Sequence, residues 1–186
     1  MKYLIEPEKK VPVAYEGDVA VVGAGGAGVM AAIAAARNGA NTILIERLGS
    51  LLSSNGHGLV SGLFNRYRTA LIEKPLQSYA SLEQIIGGIS WELVKRMVDE
   101  KAARDSEADK PFKDEEEALR SWRVECSPED LQYVALEMVL EAGVKLLLDT
   151  YFAEAIVEDE KVKGVIIQNK SGRQAVSAKV VVDCSG

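Results

Sequence analysis

The chain has 186 residues, 47% of them apolar and 27% charged, with a net charge of −6. This is an ordinary globular composition, and the length suffices to bury roughly 70% of the surface the unfolded chain would expose. The acidic balance argues against a nucleic-acid binder. No apolar run reaches the ~20 residues of a membrane span, and Met1-Lys-Tyr-Leu-Ile-Glu-Pro lacks the apolar core of a signal peptide. A cytoplasmic location is therefore expected, with neither nucleic acid nor membrane as partner.

Residues 1–17 read as extended, because Pro7 and Pro12 discourage a helix. Val19 to Val22 is a short apolar run, as a strand buried on both faces should be. Gly23, Gly25 and Gly28 then form G-x-G-x-x-G. Gly23 allows a sharp exit from the strand, Gly25 allows a pyrophosphate to approach the backbone, and Gly28 allows a helix to pack closely. A helix is predicted from about Gly26 to Asn38, with its positive end toward the phosphates and Gly39 as its stop. A second strand is expected to follow the helix. Glu46 closes it 18 residues after Gly28, where a carboxylate can accept hydrogen bonds from a ribose. The pattern says dinucleotide, and by itself leaves FAD and a nicotinamide cofactor both open.

Arg47 to about Tyr79 has little periodicity and many small residues. The stretch containing Ser53, Ser54, Asn55, Gly56 and His57 reads either as a backbone lying against the cofactor or as a surface loop. Trp91 to Ala103 is predicted helical, with Leu93, Met97 and Val98 on one face and Ser90 as cap. From Asp99 to Arg123 the dense charge reads as a solvated helix-and-loop surface. Ser127-Pro-Glu-Asp130 is a helix start with a capping serine, proline at the first position and acids against the dipole. That helix runs to Gly143 and is followed by a buried strand, Val144 to Leu148.

Three short strands, at 152–158, 162–168 and 174–178, then read as an antiparallel meander, and Lys179 to Asp183 as one more buried strand ending on Cys184-Ser-Gly186. Cys126 and Cys184 form no C-x-x-C, and a reducing compartment favours two buried thiols over a disulfide. The fold class is α/β: a Rossmann-like parallel sheet with an antiparallel β-meander.

The order of these motifs resembles the FAD-dependent oxidoreductases of the glutathione-reductase-like, two-dinucleotide-binding superfamily, and more narrowly those related to fumarate reductase flavoproteins. The motifs that carry it are the nucleotide turn through Ile45-Glu-Arg47, Gly58-Leu-Val-Ser-Gly, Glu141-Ala-Gly-Val-Lys, Lys161-Val-Lys-Gly-Val and the final Val-Val-Asp-Cys-Ser-Gly. The long separation between the second strand and Val144 also favours FAD over a simple nicotinamide domain. The resemblance implies that the backbone around Ala24, Gly25, Gly26 and Ala27 holds the pyrophosphate. It implies that Glu46, with Arg47 beside it, holds the adenosine ribose. Phe152 would meet the adenine through its backbone, and Cys184-Ser185-Gly186 would return the chain to the cofactor. Relatives often have Gly-Gly where this chain has Leu52-Ser53, and a small residue where it has His57, the candidate proton donor beside the flavin. The expected organisation is a single FAD-binding domain over 1–186, with 47–127 as an insertion, forming the first part of a longer or split enzyme. The substrate, a small molecule, would be met mostly by that further domain or a partner chain. A non-catalytic dinucleotide-binding subunit and an NAD(P)-binding domain are the alternatives.

Overall fold

The structure is a computed structural model that describes residues 2–3, 8–52, 87–105, 110–111 and 124–186. Its main element is a six-stranded sheet in the order β6-β2-β1-β9-β8-β7. β1 is Val13–Val22, β2 Thr42–Ile45, β6 Lys145–Leu147, β7 Tyr151–Glu158, β8 Lys161–Asn169 and β9 Gly172–Asp183. β6, β2, β1 and β9 run parallel, and β9, β8 and β7 form the antiparallel meander. Between β2 and β6 lie three short strands, β3 (Ala103–Asp105), β4 (Lys110–Pro111) and β5 (Val124–Cys126), which form a small separate sheet.

Among the described residues the helices are α1 (Gly26–Arg37), α2 (Gly88–Asp99) and α3 (Pro128–Glu141). They share one core with the sheet, in which Val21 and Leu44 meet Ile33, Leu93, Met97, Leu131 and Met138. Successive strand residues point to opposite faces, so Ala20, Val22, Ile43 and Ile45 form a second core with Val165, Ile167, Val176 and Ala178. β2 is buried on both faces for this reason. These three helices end alike: the residue after the cap, Gly39, Lys101 or Gly143, takes a positive φ. The next N–H, of Ala40, Ala102 or Val144, reaches back to the carbonyl of Ala35, Met97 or Val139, which satisfies carbonyls the helix leaves open. Arg37 of α1 and Arg96 of α2 both bond Glu92, and Arg96 also bonds Glu141 of α3, so ion pairs join the helices at their exposed side.

Four expectations need correction. α2 begins at Gly88, capped by Gly87, and ends at Asp99, so Ser90 lies inside the helix and is not its cap. Its closing residue, Lys101, carries none of the glycine signal that marks the other two ends. The charge-rich stretch from Asp99 to Arg123 contributes β3 and β4. β6 is a half-exposed edge strand. The third meander strand and the final parallel strand are one element, β9, which pairs with β8 over its first half and with β1 over most of its length. Cys126 and Cys184 are not joined in a disulfide, and both are partly buried.

Candidate functional site

Register decides what meets at the end of the sheet. Val22 lies opposite both Ile45 and Asp183, so Gly23, Glu46 and Cys184 emerge side by side from the C-terminal ends of three parallel strands. Their N–H groups continue the ladder, to Ile45 O at 2.7 Å, Leu147 O at 2.8 Å and Val22 O at 2.8 Å respectively. Ligands of open α/β sheets bind at this edge of the strands.

The glycines of the turn differ in what they meet. Gly23 has φ +93°, and a side chain there would run into the Cys184 carbonyl. A Cβ on Gly28 would overlap the Gly23 carbonyl oxygen, so both positions are fixed by packing inside the protein. Gly25 and Gly26 are the opposite case, since an added Cβ would meet nothing among the described residues within 4 Å. Gly25 caps α1 without a side-chain bond, and the first turn holds no acid. The N–H groups of Gly26, Ala27 and Gly28 have no acceptor within the helix. Among the described residues they therefore form an open set of donors at the positive end of a twelve-residue helix, a ready place for an anion.

Glu46 is only 7% exposed. Its Oε2 accepts the Ala24 N–H at 2.7 Å and its Oε1 the Leu48 N–H at 2.9 Å. Each carboxylate oxygen keeps a further lone pair. Beside it a cleft of about 190 Å³ is lined by Val22, Gly23, Ile45, Glu46, Arg47, Thr150, Tyr151, Phe152 and Ser185. That is below the roughly 300–1,000 Å³ of a complete ligand site. The Ser185 N–H and hydroxyl both donate to Asp183 Oδ1, at 3.0 and 2.7 Å, which tightens the turn after β9. These bonds hold the Asp183 carboxyl below its ordinary pKa. Burial, then the Asp183 charge, pushes the Cys184 thiol up, which keeps it protonated and unreactive near neutrality.

The structure thus brings together Gly23, Glu46, Arg47, Phe152 and Ser185 around the cleft, with Gly25, Gly26, Ala27 and Gly28 next to it. Ala24 is fully buried, with its N–H on Glu46 and its C=O on Leu52, so it faces inward. Gly186 follows Ser185 with φ +90° and is not part of the cleft wall. Ser53, Ser54, Asn55, Gly56 and His57 lie outside the described residues. Sequence reasoning missed Thr150 and Tyr151. The available signal was their place just beyond Leu148 and Asp149, which follow β6, whose end lies beside that of β2.

A match to the FAD dependent oxidoreductase family spans residues 18–186. The chain belongs to this family. It is 40% identical over 91 residues to a urocanate reductase of Eggerthella lenta, a stretch that covers 44% of this chain and 14% of that protein. Among solved structures, the L-amino acid deaminase of Proteus vulgaris superposes with a TM-score of 0.59 at 16% identity, covering 99% of this chain and 50% of the other. A flavocytochrome c3 fumarate reductase in its open conformation gives 0.53 at 18%, covering 92% and 32%. The family's cofactor is FAD, and the chain spans about half or less of these relatives' length. Among the described residues no group of three or more His, Cys, Asp or Glu is placed to hold a metal, and no helix is long and apolar enough to cross a membrane.

Proposed function

We propose that this chain is the dinucleotide-holding part of a flavin-dependent oxidoreductase acting on a small molecule. The observation that carries the reading is the open donor set at Gly25 to Gly28 joined to the Glu46–Phe152 cleft. The pyrophosphate sits on the N–H groups of Gly26, Ala27 and Gly28, where Gly25 and Gly26 leave room for it. The adenosine enters the cleft. Its ribose hydroxyls donate to the remaining lone pairs of Glu46, with Arg47 beside them, and the adenine lies along the Tyr151–Phe152 backbone. Ser185 and Gly186 close the turn on the same side. Bound FAD supplies the transfer of a hydride or an electron pair. The chain's own contribution is to bind, orient and shield it. The stretch of 40% identity to a urocanate reductase favours reduction of the substrate over its oxidation. The remaining contacts to flavin and substrate come from Ser53 to His57 and from polypeptide beyond this portion or a partner chain, in a cytoplasmic enzyme.

The test is a visible absorption spectrum of the purified protein, followed by denaturation and identification of what is released. Yellow protein releasing FAD supports the reading. A colourless protein is titrated with FAD and with NADH: saturation by FAD supports it equally, and saturation by NADH alone overturns it.

A further inference from the structure

In G-x-G the middle residue sits between two glycines, the most freely rotating residues in a chain. Nothing local fixes the direction of its peptide groups. Here Ala24 is held at both ends from one short segment. Its N–H donates to Glu46 Oε2 at 2.7 Å, and its carbonyl accepts the Leu52 N–H at 2.9 Å. The same carboxylate ties down the Leu48 N–H at 2.9 Å. Glu46 is itself fixed through its main chain, with its N–H on Leu147 O and its carbonyl on the Thr150 N–H at 2.9 Å. Leu51 and Leu52 anchor the far end of the segment in the core, at 2% and 1% exposure. Leu52 does so with φ +52°, a left-handed conformation that is strained for a leucine. Such strain persists only where the surroundings impose it, and its product here is the N–H delivered to Ala24.

We infer that the segment Glu46–Leu52 is a positioning device for the phosphate turn: it holds the Ala24 peptides so that the following N–H groups face outward before any dinucleotide arrives. This rests on reading Gly25 to Gly28 as the pyrophosphate site. Glu46 is then a positioning residue as well as a ribose acceptor. Its effect on binding persists when the ligand has no ribose hydroxyls.

Glu46→Gln keeps the shape but replaces one acceptor oxygen with an NH2 group, which opposes the Ala24 or the Leu48 donor. In the ligand-free protein, hydrogen exchange at the Ala24 or Leu48 amide should quicken by about tenfold or more, the loss expected for a bond to a charged acceptor. The amides at the centre of β1 should be unaffected. Unchanged exchange at both residues overturns the inference. A second arm compares ADP with 2′,3′-dideoxy-ADP, a double-mutant-cycle design in which the ligand supplies one of the changes. The variant should bind both more weakly than the wild type does. A loss confined to ADP means that Glu46 acts through the ribose alone, and overturns the inference. If the wild type binds neither nucleotide, the pyrophosphate reading fails and the exchange result alone decides the positioning role. Glu46→Asp, whose shorter arm cannot span both donors, replaces the Gln variant if that variant does not fold.

Discussion

The Glu46 carboxylate meets the Ala24 N–H at 2.7 Å across 22 residues of chain. The acid that closes the second strand is thereby bonded to the glycine turn that follows the first. The strand ends, the turn and the cleft are one connected structure, and a change at one of them is felt at the others.

The glycines separate folding from binding. Gly28→Ala places a methyl against the Gly23 carbonyl, so it should lower stability by about 1–3 kcal/mol, as overpacking does. Gly25→Val projects into open space and should leave the ligand-free fold near wild type. Chemical denaturation of the two variants checks the contrast. Equal losses would show that Gly25 is packed as tightly as Gly28.

Glu92 provides a pH signature. The hydrogen bond from Arg37 leads, aided by Arg96 and opposed by burial, in lowering its carboxyl to about 2 from 4.5. A depressed folded-state value means that the stabilisation is complete above pH 4.5 and is lost as pH falls toward 2. With partial exposure discounted, it is worth about 1–2 kcal/mol. Glu92→Gln should remove that part of the acid sensitivity. An unaltered stability–pH profile between these limits would contradict the assignment.

Ser127 accepts the Asp130 N–H at 3.0 Å and caps α3. Ser127→Ala should cost about 0.5–2 kcal/mol, read as a lower denaturation midpoint. No change would mean that the proline and acids of the first turn suffice.

The β7–β8 hairpin turns on Asp159 and Glu160, both at positive φ. Asn-Gly is the preferred pair in such a turn. Asp159→Asn combined with Glu160→Gly should raise stability by about 0.5–1 kcal/mol, measured by thermal denaturation. A loss would show that the acidic pair has a role the backbone does not reveal.

The elements legible in the sequence are those where local pattern and tertiary demand agree. Val19–Val22, the glycine turn and Thr42–Ile45 each carry their own signal, and Ser127-Pro128 marks a helix start outright. The small sheet was hidden because its strands are two or three residues long and their pairing is non-local. The end of α2 was hidden because Lys101 takes the left-handed position usually given to glycine. β9 read as two strands because its partner changes midway, from β8 on one side to β1 alone. In the site, spacing placed Glu46 beside the turn, yet it carries no information about which N–H groups its oxygens accept. Thr150 and Tyr151 enter the cleft only because β6 pairs with β2.

The most direct test of the central claim is FAD titration of the wild type and of Gly25→Val, followed by flavin fluorescence and alongside circular dichroism. Saturable binding by the wild type, with binding abolished in a Gly25→Val protein of unchanged fold, is the predicted result. Equal affinity in the two proteins, or no binding by the wild type, would contradict the placement of the pyrophosphate on this turn or the capacity of this portion to hold FAD.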